Sequence, residues 1–80
     1  MKIFYSPVAQ KKINQLSQKD RSKILKNIRK IAADPKVGKK LKGKYQGLRS
    51  ARAWPFRIIY RVAGRILIVV TIKHRQEAYK

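Results

Sequence analysis

From Phe56 to Lys73 the chain is written in two apolar runs, Phe-Arg-Ile-Ile-Tyr-Arg-Val and Arg-Ile-Leu-Ile-Val-Val-Thr-Ile-Lys, parted only by Ala63-Gly64. β-Branched and aromatic residues in runs of this length, split by a short Gly-containing turn, read as a β-hairpin. A two-residue turn at Ala63-Gly64 pairs Val62 with Arg65, Tyr60 with Leu67, Ile58 with Val69 and Phe56 with Thr71. That face is the better core. The opposite face carries Arg57, Ile59 and Arg61 beside Ile66, Ile68, Val70, Ile72 and His74. The hairpin is unusual in its cations, since Arg57, Arg61, Arg65, Lys73 and Arg75 interrupt or end its strands. Guanidinium groups on rigid strands suit phosphate held in a fixed geometry.

The rest of the chain supplies something to cover one face. Lys2-Ile3-Phe4-Tyr5 reads as an opening strand, and Ser6-Pro7 as a helix start, with Ser as N-cap and Pro at the first helical position. A first helix to about Leu16 is followed by Ser17-Gln18-Lys19-Asp20, which resembles a capping box. In the second helix Ile24, Leu25, Ile28, Ile31 and Ala32 form one stripe, and Asp34-Pro35 ends it. Residues 36–47 are rich in Gly and Lys and read as a mobile basic loop. Strands are expected at about 48–53, 56–62 and 65–73. The order β-α-α-β-β-β predicts one α+β domain over residues 1–80, an antiparallel sheet with both N-terminal helices packed on one face. The other face, this apolar and without helices, is expected to take a protein partner.

Charge narrows the partners. With 22 basic and 3 acidic residues the chain carries +19, so it attracts polyanions: nucleic acid first, then an anionic membrane or an acidic protein. No segment has a signal peptide's apolar run, and Ile66–Val70 is too short to span a bilayer. A soluble, cytoplasmic protein is expected. Only Asp20, Asp34 and Glu77 are acidic and there is no Cys, so a two-metal nuclease site cannot be assembled and no cofactor is expected. Cleavage of nucleic acid would then need RNA, whose own 2′-hydroxyl can attack the adjacent phosphate.

The cations fall into two sets. The first forty residues hold ten Lys and two Arg, the second forty four Lys and six Arg. Helix lysines set a sequence-blind, salt-sensitive attraction. Lys42, Lys44, Arg49, Arg52 and Lys73 are candidate RNA-binding residues. Arg57 and Arg75 are candidates for holding the scissile phosphate and the charge that develops on it. His74, with a reference pKa of about 6.5, suits proton transfer near neutrality. Tyr79 could stack on a base or exchange a proton with a ribose hydroxyl.

In the order of its motifs the chain resembles the RelE/ParE toxin superfamily of bacterial type II toxin–antitoxin modules. The resemblance rests on the opening strand with Ser6-Pro7-x-Ala9, the two helices, Leu41-Lys42-Gly43, Gly47-Leu48-Arg49, Phe56-Arg57-Ile58-Ile59-Tyr60-Arg61-Val62 and Lys73-His74-Arg75-x-x-x-Tyr79. It implies a RelE-like α+β fold and a ribosome-dependent mRNA endoribonuclease (an mRNA interferase). In that activity Arg57 and Arg75 bind the phosphate, Tyr79 orients substrate or transfers a proton, and His74 occupies a position where some members carry a catalytic basic residue. It also implies a cognate antitoxin, the ribosome and mRNA as partners. Trp54-Pro55-Phe56-Arg57 stands where the family usually has Gly-acid-Tyr-Arg, and the preceding strand lacks a lysine pair found in some members. The general base is therefore His74 first, or a lysine of the 36–44 loop. The competing readings are a ParE-like DNA gyrase inhibitor without nuclease activity and a small basic RNA-binding protein. In the flat register Arg57 and Arg75 lie on opposite faces, so a bulge or a strand end between Lys73 and Arg75 is expected.

Overall fold

Ser6 joins the first strand to the first helix and ties both to the far end of the chain. β1 (Lys2–Tyr5) runs into α1 (Pro7–Asn14), where the Ser6 hydroxyl accepts the Ala9 N–H at 3.1 Å. The same hydroxyl donates to the Val70 carbonyl at 2.5 Å, and the Ser6 N–H donates to the Val69 carbonyl at 3.0 Å. The computed structural model describes residues 1–75. α2 (Gln18–Ala33) begins as the capping residues predict, with Ser17 accepting the Asp20 N–H at 3.2 Å. A helix end leaves carbonyls without intrahelical partners. For α1 the Arg21 guanidinium meets them, donating to Ile13 at 3.3 Å, Asn14 at 3.1 Å and, just beyond, Leu16 at 3.2 Å. α2 stops before Pro35, having buried Ile24, Ile28 and Ile31. Each such side chain contributes about 1.5–3 kcal/mol when fully covered.

The sheet has the order β1-β5-β4-β3-β2, built with β2 (Lys39–Lys40), β3 (Arg49–Ala53), β4 (Phe56–Ala63) and β5 (Ile66–His74). The α+β class and the helices on one face agree with the sequence reading, but the sheet is mixed. β1 lies parallel to β5, Tyr5 pairing with Val69, whereas the remaining neighbours are antiparallel. A parallel pair needs a long connection, and here nearly the whole chain supplies it. The core joins Ala9, Ile13 and the α2 isoleucines to Ile58, Tyr60, Leu67, Val69 and Ile72.

The hairpin register corrects the reading in two places. The turn is Gly64-Arg65, with Ala63 paired to Ile66 and Val62 to Leu67. Only Gly64 has positive φ (61°), the pattern of a type II′ turn, which wants Gly first; Ala63 could not have taken that place cheaply. Farther along, Tyr60 pairs with Val69 but Ile59 with Thr71, so Val70 is an extra residue, a β-bulge. Beyond it every β5 side chain changes face. Ile72 and His74, expected on the open face, lie with Ile58 and Phe56 on the helix side, while Thr71 and Lys73 pass to the open side. The bulge carbonyl is the one Ser6 takes.

The segment 36–47 is not a free loop either. It holds a 3₁₀ turn (Pro35–Val37), β2 and a second turn (Gly43–Tyr45). Its anchor is Tyr60, whose fully buried hydroxyl donates to the Pro35 carbonyl at 2.7 Å and accepts the Gly38 N–H at 2.9 Å. The backbone approaches so closely that a Cβ on Gly38 would stand 2.8 Å from Tyr60 Cε1.

Candidate nucleic-acid interface

Sequence spacing and the bulge together put three cations in one row on the helix-free face. Arg52 pairs with Arg57 across β3 and β4, and Arg57 with Lys73 across β4 and β5. Like charges directly opposite one another destabilise a sheet. An anion laid along the row would lessen that repulsion. Arg61 lies farther along the same face, between Ile68 and the open solvent.

Arg75 reaches the region from the end of β5. Its N–H donates to the Pro55 carbonyl at 2.7 Å, and its guanidinium carbon stands 5.1 Å from the centre of the Trp54 ring. Between Lys73 and Arg75 lies the end of β5, at His74, while the bulge stands earlier, at Val70, where it already aligns Lys73 with Arg57. His74 is placed differently from the others. It pairs with Phe56 on the helix side and meets that ring edge-on, with centroids 5.4 Å apart at 85°. The structure thus gathers Arg52, Arg57 and Lys73, sets Arg75 at their rim, and puts His74 on the reverse of the strand. Tyr79 lies outside the described residues.

The remaining candidates belong to another corner. Arg49 shares a row with Tyr60 on the helix side, and its guanidinium donates to the Gly38 carbonyl at 2.8 Å and the Lys36 carbonyl at 3.5 Å. It holds the loop against the sheet. Lys42 lines a cleft of about 630 Å³ formed between β2 and β3, and the Lys44 ammonium stands 5.3 Å from the Tyr45 ring centre. Both lie past the Arg49 end of β3, away from Arg52 and Arg57. Burial pushes the Tyr60 phenol above its ordinary 10.0, against the opposing pulls of the Gly38 N–H and the Arg49 charge.

A second cleft, about 420 Å³, runs along the β3 edge that two-residue β2 leaves uncovered. Asn27, Lys30, Val37, Ser50, Arg52 and Arg57 are among the residues that line it. Ser50 is buried and its hydroxyl has no hydrogen-bond partner. Sequence reading missed this residue, and a lone Ser between Arg49 and Ala51 gave no signal. Among the described residues no three of His, Cys, Asp and Glu cluster. No helix of the described residues is long and apolar enough to cross a membrane.

On the helix-free face the apolar patch is smaller than the flat register implies, because Ile72 has left it. Phe4 is 57% exposed and Ile66 40%, whereas Ile59 is 7% exposed.

Comparison with known proteins fits this architecture. A family model described as the ParE toxin of type II toxin–antitoxin system, parDE, matches residues 3–79. No curated protein matches the chain. Among solved structures, the toxin–antitoxin complex RelBE2 from Mycobacterium tuberculosis contains a chain with TM-score 0.85 and 20% identity, over 92% of this chain and 96% of that one. A YoeB–YefM complex from Staphylococcus aureus gives 0.79 and 23%, over 92% and 95%. The isolated E. coli RelE toxin gives 0.77 and 19%, over 98% and 89%. At these identities the structural likeness speaks for the fold.

Proposed function

The chain belongs to the ParE toxin family of type II toxin–antitoxin systems, and from that premise we propose that this toxin is a ribosome-dependent, metal-independent mRNA endoribonuclease. The observation that carries the reading is the cross-strand row of Arg52, Arg57 and Lys73. Three cations in register meet a phosphodiester better than they meet each other, and preorganised positive charge favours a transition state more negative than its ground state.

The RNA backbone crosses the ends of β4 and β5, where residues of both faces come nearest a single phosphate. Arg57 and Arg75 hold that phosphate, with Arg52 and Lys73 placing its neighbours. The ribose 2′-hydroxyl gives its proton to His74 and its oxygen bonds to phosphorus. The bond from phosphorus to the 5′-oxygen breaks, that oxygen takes a proton from Tyr79 or water, and a 2′,3′-cyclic phosphate is left. Phe56 supports His74 from the side, so the imidazole acts from a fixed place. Lys42 and Lys44 contribute attraction to ribosomal RNA at a distance.

The partner in the resting state is a cognate antitoxin. Its seat is the helix-free face, where exposed Phe4 and Ile66 lie with Arg61 at the other end from the cation row and would suit a segment both apolar and acidic. The M. tuberculosis and S. aureus relatives were solved with such partners.

The test is end-mapping of mRNA on programmed ribosomes after the toxin is added. The reading expects cuts that vanish when the nucleotide 5′ of the cut carries a 2′-deoxyribose. A second reading, inhibition of DNA gyrase, is favoured by the matched family model being that of ParE. Uncut mRNA together with DNA breakage in arrested cells would establish that reading and remove the first.

A further inference from the structure

We infer that Trp54 is a nucleobase platform, on which a base of the bound RNA stacks beside the phosphate held by the cation row. This rests on the endoribonuclease reading above and adds the element that grips the base. Trp54 is 53% exposed, although an indole is among the most apolar surfaces a protein can bury. Single exposed apolar residues are common, so exposure alone decides nothing. What distinguishes Trp54 is how firmly its surroundings are fixed, and by what.

The β3–β4 turn that carries it is anchored from two elements. The Lys23 ammonium of α2 donates to the Trp54 carbonyl, and the Arg75 N–H donates to the Pro55 carbonyl at 2.7 Å. The Arg75 guanidinium then lies against the indole, 5.1 Å from its centre. A phosphate-binding cation and an open π-surface are thus held together, two residues from Arg52 and three from Arg57. At about 3.8 Å per residue that separation is of the order of the reach from a phosphate to its own base. Stacking on an aromatic face asks nothing of base identity, because every base has a π-face. Guanidinium planes stack in the same way and extend the platform. Among the described residues the other exposed aromatics lack this setting: Tyr45 lies past the far end of β3, and Phe4 shares its row with Ile68 and Arg61.

Trp54 is the chain's sole tryptophan, so fluorescence excited where the tyrosines do not absorb reports on this residue alone. The probe is a single-stranded RNA made uncleavable by 2′-O-methyl groups, and the same RNA with one abasic residue. The expected result is that the intact RNA alters the Trp54 emission. Trp54→Ala should weaken binding by about 5- to 100-fold and Trp54→Phe much less. The abasic RNA should bind wild type more weakly while giving no further loss in Trp54→Ala. The inference is overturned if the probe RNA is bound with the emission unchanged, or if both proteins rank the two RNAs alike, and the nuclease reading then survives. If the probe RNA is not bound and mRNA on programmed ribosomes is left whole, both fall together.

Discussion

Arg49 and Arg57 are eight residues apart on neighbouring strands, and the contrast between them organises the molecule. Arg49 faces the helices, where its guanidinium ties down the Gly38 and Lys36 carbonyls around the Tyr60 hydroxyl. Arg57 faces away from the helices between Arg52 and Lys73. The same side chain is a fastener in one place and part of a charge array in the other. The difference teaches that a count of arginines says little about phosphate binding. What matters is the face, and whether carbonyls or cations stand alongside.

The largest test of the contrast removes the array. Arg57→Ala, expressed without an antitoxin, should relieve growth arrest and lower mRNA cleavage by about 10²- to 10³-fold, as loss of one preorganised charge-stabilising donor does elsewhere. Next comes the fastened corner. Gly38→Ala forces a methyl into the Tyr60 ring and should cost about 1–3 kcal/mol by chemical denaturation, with no effect on cleavage by the protein that remains folded. Tyr60→Phe leaves the Gly38 N–H buried without its acceptor, and should cost about 1–3 kcal/mol in the same assay.

Tyr60 also sets a pH signature. Its folded-state pKa is raised above 10.0, chiefly by burial, so the folded chain holds the phenol proton more tightly than the unfolded chain does. That contribution is complete below pH 10 and is lost as pH rises through the folded value. Stability should therefore fall on the alkaline side, and Tyr60→Phe should flatten part of the fall in denaturation curves taken across that range. Smallest of all, Lys42→Ala with Lys44→Ala should leave stability and the cut position alone. It should weaken RNA binding at low salt and reduce its salt dependence, by a slope of about 0.7 for each phosphate no longer neutralised.

How much of this was written in the sequence depends on the range of the interactions involved. Ser6-Pro7, Ser17-x-x-Asp20 and Asp34-Pro35 act on their own helix ends: both helices begin and α2 stops where they say, whereas α1, which has no such stop signal, ends at Asn14, short of the expected Leu16. The isoleucine stripe of α2 is equally local. The bulge at Val70 is not, because it is held by Ser6 from 64 residues away. Without it, strict alternation assigns Ile72 and His74 to the wrong face. The loop after α2 looks mobile in sequence because Gly and Lys carry no packing signal, while its anchor, Tyr60, reads simply as a strand aromatic. β1 shows its strand character but not its partner, since a parallel neighbour leaves no turn between the two. For the site, Arg57 and Lys73 are visible as cations on strands. Their alignment is not, and neither are the separate employment of Arg49 nor the buried hydroxyl of Ser50.

The most direct measurement sets Arg49→Ala and Arg57→Ala side by side, each followed by thermal melting and by end-mapping of mRNA on programmed ribosomes. Arg57→Ala should melt within a few degrees of wild type and leave the mRNA whole. Arg49→Ala should melt lower, yet cut at the wild-type positions at temperatures where it is folded. An Arg57→Ala toxin that still cuts at the wild-type rate would contradict the account. So would an Arg49→Ala toxin that keeps its melting temperature and loses cleavage.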